Sequence, residues 1–557
     1  MLKTLKTLTL ALIATASAEV TPREVKWTDD TFGPDGPWRA VSIRMGNEES
    51  SIGLYPGSAW ESWLIQDQYC RKGTCYASKA GTYDNSSGTQ GGIQMPADLS
   101  GFMLGLDLKG NQATRHLDRM WLNGAIVENV SLALLESQKI KYPGGQTSPF
   151  FAGCLSLGGR RAVNQSFSQD DGPAINASLV PGWMWEHEWT RSSSFGMHIG
   201  SVQPDISGSL WFGGYDQNRV IGEVLNMNGG PRDGITLRDI GIDVLGGKSP
   251  FEFDSKDGLL ANGNSSIGGS LKVLVDGCSP YFTLPRSTCD NIAAHLPVTF
   301  NKDLGLYLWD TKSDRYKQII NSASALSFSF ISNSNTDPIK IRVPFMHLNL
   351  TLSAPLSDKP TPYFPCHSNG KGEYVLGRAF LQDAFVGANW HPDIDTWWLA
   401  QAPGPNIQAT PNVVSIGEKD ETVSKGGNDW KVSWSGVWDD QEAPSSTPTE
   451  DSADKKGDTK GNEEDSKGGD QGDDEVGMSV GAKAGIGAGV AAAVIAAGVA
   501  VLCWRRRRCR NQPQEESTTE PVVTVDETKL PSVVLYPQEL PSQEMQPPYY
   551  QRFELPS

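Results

Sequence analysis

Three features that mark common protein classes are absent or scarce in this sequence. Positive charge does not dominate: 65 Asp and Glu residues outnumber 48 Lys and Arg residues, and the formal net charge is −17 at pH 7. Because nucleic acids are bound by basic surfaces, this balance argues against nucleic acid as a partner. Long amphipathic helical patterns are scarce, which argues against a helical protein. Cys70 and Cys75 are spaced as CxxxxC, not CxxC, with no histidine close by, so we predict no metal site and expect no cofactor.

The N-terminus has the features of a secretory signal. Lys3 and Lys6 supply a basic start, the run 8–14 is apolar, and an Ala-Ser-Ala cleavage site ends at Ala18. We therefore predict a signal peptide over residues 1–18. The alternative is an amphipathic first helix.

Asn-X-Ser/Thr sequons agree with export from the cytoplasm, because they are acceptors of N-linked glycans in secreted proteins. All of them precede the membrane span predicted below. We predict glycosylation at six asparagines: Asn85, Asn129, Asn164, Asn176, Asn264 and Asn349.

The region between the signal and about residue 402 has the pattern of a β-rich domain. Apolar and polar residues alternate in 326–330 and 339–343, and clusters of Gly, Asn, Asp or Pro separate the apolar runs. We predict an all-β ectodomain over residues 19–402.

Composition divides the remainder of the chain into three segments. Residues 403–483 contain many Asp, Glu, Lys, Gly, Ser and Pro residues and few aliphatic ones, which predicts a flexible acidic stalk. Ala484–Trp504 is an uncharged run of 21 residues, long enough to cross a hydrocarbon core of ~30 Å as a helix. Arg505–Arg508 follow and place the C-terminus in the cytoplasm by the positive-inside rule. We predict a single-pass protein of the plasma membrane or another secretory-pathway membrane; an Ala/Gly linker is the alternative.

The predicted cytoplasmic tail, residues 505–557, is rich in Pro, Gln and Glu and is expected to be disordered. Its residues Pro547, Pro548 and Tyr550 fit PPxY, a ligand of WW domains. The run 550–553 also fits the Tyr-x-x-apolar pattern read by endocytic adaptors. A WW-domain protein and an endocytic adaptor are therefore the candidate tail partners.

Two stretches of the ectodomain have the same shape, an apolar strand running into a tight turn. Leu271–Pro285 carries Asp276 at its turn, whereas Ser51–Leu64 carries Tyr55 at the matching place. A plain surface turn is the alternative for either stretch. We predict that the two stretches frame a functional site.

These stretches resemble the paired Asp-Thr-Gly-Ser/Thr loops of the pepsin family of aspartic proteases, and the resemblance covers Pro37 to Ala402. It implies two β lobes with a cleft between them, an N-lobe over about 38–225 and a C-lobe over about 226–402. Four further stretches follow the family's order: the Cys70–Cys75 spacing, 151–157 (FAGCLSL), 208–216 (GSLWFGGYD) and 374–385 (YVLGRAFLQDAF).

The departures from the family pattern concern its chemistry. Tyr55 stands at the place of the first catalytic Asp, so Asp276 is the only retained member of the pair. The family's two carboxylates share a proton and act as base and acid, which a phenol cannot do at acidic or neutral pH. Pro56 and Gly277 lack the hydroxyls that lock the family's loops, and Cys278 replaces a glycine. No flap motif is found between residues 90 and 115.

The cysteines of the ectodomain are expected to form disulfides. We predict a Cys70–Cys75 bridge. Spacing leaves three pairings open for the other four, Cys154, Cys278, Cys289 and Cys366. Of these we predict Cys289–Cys366, and we assign no partner to the other two.

The main hypothesis is a glycosylated surface protein whose pepsin-like domain is inactive and whose cleft holds an extended peptide or a cell-wall ligand. Its layout is similar to that of membrane-anchored proteins of filamentous fungi, which indicates fungal origin. One rival is an active aspartic endopeptidase that uses Asp276 with Glu61 or Asp84 as the second acid. Another is a cell-wall or matrix tether.

Overall fold

The computed structural model describes most of the predicted ectodomain, namely residues 20–45, 50–71, 73–84, 86, 95–169, 172–333, 335–368 and 370–438. The predicted signal peptide, the sequon at Asn85, the span Ala484–Trp504 and the tail motif with Pro547, Pro548 and Tyr550 lie outside these residues. Within them, no helix combines the length and the apolar character that crossing a bilayer requires.

The N-terminal lobe is built around one large sheet whose central strands are buried. Ser50–Gly57 pairs antiparallel with Trp38–Met45 and parallel with Gly153–Ser156, so it is covered along both edges. The strands, in sheet order, are Asn164–Gln169, Gly172–Ser178, Ala125–Leu135, Ser62–Ile65, Gly153–Ser156, Ser50–Gly57, Trp38–Met45, Ala113–Leu122 and Met95–Ala97, with Trp27–Phe32 added on Trp38–Met45. A separate three-stranded sheet is formed by residues of the same lobe. Its strand order is Thr147–Ser148, Lys139–Lys141 and Asp107–Lys109.

The C-terminal lobe contains two sheets. In order, the first holds Ile339–Pro344, Ser324–Ile331, Ile235–Val244, Leu271–Val275, Val375–Leu376, Phe282–Thr283 and Cys366–His367, with Ser255–Lys256 on Ile235–Val244. The second holds Val298–Asn301, Leu306–Trp309, Thr361–Phe364 and Leu350–Leu352. The alternation predicted for 326–330 and 339–343 is confirmed, because both lie in paired strands of the first sheet.

A third sheet takes strands from both halves of the chain and so joins the lobes. Its order is Arg23–Glu24, Ser209–Phe212, Ser194–His198, Ala384–Asn389, Thr396–Gln401 and Ile221–Asn228. The predicted lobe boundary near residue 225 falls inside its last strand. The two lobes are therefore hydrogen-bonded through a common sheet as well as packed together.

Helices are few and short among the described residues. The α-helices are Val180–Glu186, Arg286–Ala293, Asp314–Asn321, Arg378–Leu381 and Trp430–Ser433, and the 3₁₀ helices are Asp67–Cys70, Leu99–Gly101, Gln217–Arg219 and Ser265–Ile267. The predicted mostly-β, two-lobed architecture is confirmed.

The predicted start of the stalk at residue 403 is wrong for residues 403–438, which pack on the domain. Val413–Ser415 pairs antiparallel with Gly214–Asp216. Ile416 and Val423 are buried against the joining sheet, with 1% and 6% of their surface exposed. Trp434 is fully buried in a cluster with C-lobe residues. A few apolar side chains spaced along a polar sequence are enough to order this segment, because each enters a separate buried site.

Three disulfides connect the described cysteines. The predicted bridges Cys70–Cys75 and Cys289–Cys366 are present. The two cysteines left without a partner, Cys154 and Cys278, are bonded to each other and connect the N-lobe to the C-lobe.

Candidate functional site

Asp276 follows the strand Leu271–Val275 and lies inside a tight turn. Its N–H donates to Leu376 O at 3.2 Å, and its carbonyl accepts from Ser279 N at 3.2 Å. The first bond fixes the end of the strand and the second closes the turn. Only 1% of Asp276 is exposed, so the alternative of a plain surface turn is wrong.

The matching turn of the N-lobe touches this turn directly. It forms at the end of strand Ser50–Gly57. A Cβ atom built on Gly277 would lie 2.0 Å from Pro56 O, and one built on Gly57 would lie 2.2 Å from Cys278 Sγ. Both positions therefore require glycine, because the two backbones approach too closely for a side chain. The structure brings together the two stretches that the sequence singled out.

The carboxylate of Asp276 is surrounded by hydrogen-bond donors. Oδ1 accepts from Ser58 N at 3.1 Å, from Ser58 Oγ at 3.0 Å and from Cys278 N at 3.3 Å. Ser279 Oγ lies 3.1 Å from Oδ2. None of these four neighbours is a carboxylate. Among the described residues, the retained acid therefore has no second acid hydrogen-bonded to it.

Tyr55 is buried beside the site but does not hydrogen-bond to Asp276. Its ring lies under the guanidinium of Arg378, whose Cζ is 3.8 Å from the ring centroid. Its hydroxyl is buried and makes no hydrogen bond in the described structure. Burial raises the pKa of the phenol well above its usual value, and the nearby Arg378 opposes that rise only in part. Tyr55 is therefore a neutral packing residue that cannot act as a base at acidic or neutral pH.

The two turns are fastened together without the hydroxyls lost at Pro56 and Gly277. Arg378 Nη1 donates to Gly277 O at 3.1 Å and to Cys278 O at 2.7 Å while its guanidinium covers Tyr55. The Cys154–Cys278 disulfide adds a covalent link, since Cys154 is the register partner of Tyr55 on the neighbouring strand. These contacts hold the two turns in place of the hydroxyls that Pro56 and Gly277 cannot supply.

Neither acid proposed as a replacement reaches Asp276. Glu61 Oε2 accepts from Arg115 Nη2 at 2.8 Å, and Glu61 Oε1 accepts from Ser131 Oγ at 2.7 Å. Asp84 Oδ1 accepts from Ser86 Oγ at 2.7 Å. The carboxylates of both residues are engaged elsewhere in the N-lobe. The hypothesis that either residue is the second catalytic acid is not supported by their positions.

The space beneath the two turns is almost filled. A cavity of about 10 Å³ remains there, bordered by Gly57, Ser58 and Gly277 together with apolar side chains such as Trp390. A cavity of this size holds at most one water molecule. The two turns therefore pack against apolar side chains with almost no space between them.

The sequence analysis missed two contacts that hold the site together, the packing of Arg378 over Tyr55 and the Cys154–Cys278 disulfide. Arg378 sits within the stretch matched to the family's last strand, but its role depends on the position of Tyr55 in space. Cys154 and Cys278 carried a usable signal. Both fall within stretches that match the family's motifs, so their places in the family's fold would have put them close together.

The sequons within the described residues fall into two groups. Asn129, Asn164 and Asn176 are exposed. Asn264 is half-buried and its Nδ2 donates to Ser287 Oγ at 2.8 Å. Asn349 is half-buried and its Oδ1 accepts from Tyr316 OH at 3.0 Å. The first group is therefore the more exposed of the two.

Comparison with known proteins gives one family. The family model described as eukaryotic aspartyl protease matches residues 57–393, a stretch that takes in Asp276 and begins two residues after Tyr55. No curated protein matches the chain. Among solved structures, the chain is similar to the aspartic proteinase from Irpex lacteus at 12% sequence identity with a TM-score of 0.43, covering 68% of this chain and 97% of that one.

Proposed function

The chain belongs to the eukaryotic aspartyl protease family, and from this premise we propose that it is a membrane-anchored member that has lost peptidase chemistry and binds or senses an extracellular ligand. The observation that carries the proposal is the surroundings of Asp276. Its carboxylate meets N–H and O–H groups where a working site needs a second carboxylate.

Peptide hydrolysis by this fold needs one carboxylate to activate water and a second to polarise the scissile carbonyl. Asp276 alone can take only one of these roles at a time. Ser58 and Ser279 donate weakly acidic hydroxyls, and Tyr55 faces Arg378 instead of Asp276. Removal of one member of a catalytic unit costs on the order of 10⁴ to 10⁶ in rate, which would leave no useful peptidase.

The proposed topology is a cleaved signal over residues 1–18, an extracellular domain, a stalk, a span at Ala484–Trp504 and a cytoplasmic tail. The stalk now starts after residue 438. Exposure of Asn129, Asn164 and Asn176 supports glycosylation of this domain. In the tail, Pro547, Pro548 and Tyr550 would bind a WW-domain protein or an endocytic adaptor.

The activity test uses the full-length protein in detergent with a denatured protein substrate between pH 3 and pH 6, with and without pepstatin. We expect no pepstatin-sensitive cleavage. A matched sample of Asp276→Asn measures the background. Cleavage by the unmodified protein that pepstatin and Asp276→Asn both abolish would overturn the proposal.

The topology test treats intact cells with an external protease. We expect removal of the ectodomain and survival of an epitope placed after Arg510. Loss of that epitope from intact cells would reverse the proposed orientation.

A further inference from the structure

Two adjoining cavities lie in the C-lobe, and neither shares a lining residue with the small cavity beneath the two turns. The first, which we call the lysine cavity, has a volume of about 200 Å³ and lies between the loop 246–250 and the last turn of the helix Asp314–Asn321. The second, the tryptophan cavity, has about 150 Å³ and is bordered by the segment 431–438. Gly246 and Ala323 line both cavities, which therefore form one continuous recess.

The lysine cavity is lined by polar side chains that have no partner. Lys248, Lys317, Gln318 and Asn321 are all exposed at its edge, and their side chains bond to no other residue that the structure describes. Neither cavity has an Asp or Glu among its lining residues, although acidic residues outnumber basic ones by 65 to 48 in the chain. The recess therefore offers hydrogen-bond donors and positive charge without an internal counter-ion.

The backbone of the loop adds donors to the same cavity. The N–H groups of Gly246, Gly247 and Lys248 donate to no acceptor within the described part of the chain. Gly247 has a φ of +69°, the left-handed conformation found in backbone nests, where successive N–H groups converge on an anion. Glycine adopts this conformation without strain. The loop thus has the composition and the conformation of an anion-binding loop.

The helix that borders the lysine cavity opposes an anion, but the lysines outweigh it. The C-terminal end of the helix Asp314–Asn321 carries about half a negative charge on its unpaired carbonyl groups. Lys248 and Lys317 supply two full positive charges at this cavity, and Lys431 adds a third at the adjoining one. The recess is therefore locally basic on a chain whose net charge is −17.

The tryptophan cavity offers an aromatic surface beside these donors. Trp434 and Trp438 line it, and their rings are stacked with centroids 5.4 Å apart and an angle of 6° between the planes. Trp434 is fully buried, whereas Trp438 is half-buried. Lys431 and Ser435 lie at the edge of the same cavity. An indole ring next to polar groups suits a ligand with an apolar face and several hydroxyls, such as a sugar ring.

We propose that the two cavities together bind a saccharide that carries a phosphate or sulfate ester. The ester lies in the lysine cavity, where the N–H groups of residues 246–248 and the ammonium groups of Lys248 and Lys317 donate to its oxygens. So many donors call for the three terminal oxygens of such an ester, more than a carboxylate has. The sugar ring lies against Trp438. The inference does not depend on the loss of peptidase chemistry, because the recess shares no residue with the two turns.

The test measures binding to the full-length protein in detergent by isothermal titration calorimetry, in a buffer free of phosphate and sulfate. The probes are glucose 6-phosphate, glucose 6-sulfate, inorganic phosphate and glucose. Both esters should bind, inorganic phosphate should bind roughly tenfold more weakly because it makes no ring contact, and glucose should not bind detectably. Absence of binding by both esters would overturn the proposal, as would inorganic phosphate binding as tightly as they do.

Variants of the two lysines test the site of the ester. Lys248→Ala with Lys317→Ala should weaken glucose 6-phosphate binding roughly 10- to 100-fold, whereas Lys248→Arg with Lys317→Arg keeps the charge and should stay within about threefold of the unmodified protein. The matched control, Lys302→Ala with Lys359→Ala, removes the same charge from exposed C-lobe lysines that line neither cavity. At ~0.15 M salt it should leave the affinity unchanged. An equal loss in the control would reduce the effect to overall charge and contradict the proposed site.

Trp438→Ala tests the place of the sugar ring. It should lower the affinity for glucose 6-phosphate to that for inorganic phosphate and leave inorganic phosphate binding as it was. Glycerol 3-phosphate, an ester without a ring, distinguishes a saccharide from a lipid headgroup and should bind the unmodified protein no better than inorganic phosphate does. The saccharide would be the wrong ligand class if glycerol 3-phosphate bound as tightly as glucose 6-phosphate, or if the advantage of glucose 6-phosphate survived in Trp438→Ala.

Discussion

The two turns that meet at the centre of this domain differ in the site residues that they carry. The C-lobe turn keeps an acid, Asp276, and a neighbouring hydroxyl at Ser279. The N-lobe turn has Tyr55 at the matching place and contributes Ser58, whose N–H and hydroxyl both bond to Asp276. One turn therefore holds the charge and the other supplies donors to it. The two turns together thus form one carboxylate surrounded by hydrogen-bond donors.

Removing the disulfide that links the two lobes beside these turns should cause the largest loss of stability. Cys154→Ala with Cys278→Ala opens a bridge that spans 124 residues of sequence, which should lower the free energy of unfolding by about 5 kcal/mol. Cys70→Ala with Cys75→Ala, which opens a bridge of separation 5, should cost about 2 kcal/mol. Urea unfolding of the two double variants measures the difference. Equal losses of unfolding free energy would show that the interlobe disulfide stabilises the fold no more than the short Cys70–Cys75 bridge does.

Putting an acid back into the N-lobe turn should destabilise the protein without restoring cleavage. In Tyr55→Asp the new carboxylate would lie beside Arg378, and the buried ring would be lost at a cost of about 3 kcal/mol. Tyr55→Phe is the control: the Tyr55 hydroxyl has no hydrogen-bond partner among the described residues, so its removal should change stability by less than about 1 kcal/mol. Denatured-substrate cleavage at pH 3 to 6 and thermal unfolding are the readouts. Activity in Tyr55→Asp would show that only the acid was missing.

Acid pH, where a pair of carboxylates would work, should weaken this domain. His198 is buried and neutral, since burial and then the charge of Arg219 lower its pKa to about 3, while the unfolded chain titrates near pH ~6.5. As the pH falls, the unfolded state binds this proton before the folded state does. The contribution of neutral His198 to the free energy of unfolding is therefore fully present above pH ~6.5 and is lost as the pH drops towards 3, by on the order of 3 kcal/mol at pH 4. Unfolding free energies at pH 7 and pH 4 test this. His198→Gln should reduce the difference without removing it, because burial also lowers the pKa of His367 to about 4. An unchanged slope in that variant would assign the difference to groups other than His198.

The smallest expected effect comes from removing the hydroxyl donor of Ser58 in the N-lobe turn. Ser58→Ala removes the hydroxyl bond to Asp276 but keeps the backbone N–H bond, at a cost of about 1.5 kcal/mol. Ser58→Thr keeps the hydroxyl and should recover most of that loss. Chemical unfolding compares the three proteins. If Ser58→Ala were as stable as the unmodified chain, the hydroxyl of Ser58 would contribute nothing to holding Asp276.

The sequence predicted the fold and the centre of the site because both depend on local patterns. Strands alternate along the chain, and Asp276 and Tyr55 lie in two short stretches that can be compared by eye. The contacts that hold the turns could not be read in this way. Arg378 and Cys154 act across lobes, so their partners are set by tertiary packing.

The largest error, the start of the stalk, came from averaging composition. Residues 403–438 contain many polar residues, yet Val423 and Trp434 each enter a buried site on the domain. An average over a window hides such isolated anchors.

The interlobe disulfide also determines how the domain withstands cutting by other peptidases. Cys154 and Cys278 enclose the intervening chain in a covalent ring, so a single cut anywhere between them leaves both fragments attached. A nicked molecule would migrate as one species on a non-reducing gel and as two after reduction. A single cut between these two cysteines would therefore not by itself separate the N-lobe from the C-lobe.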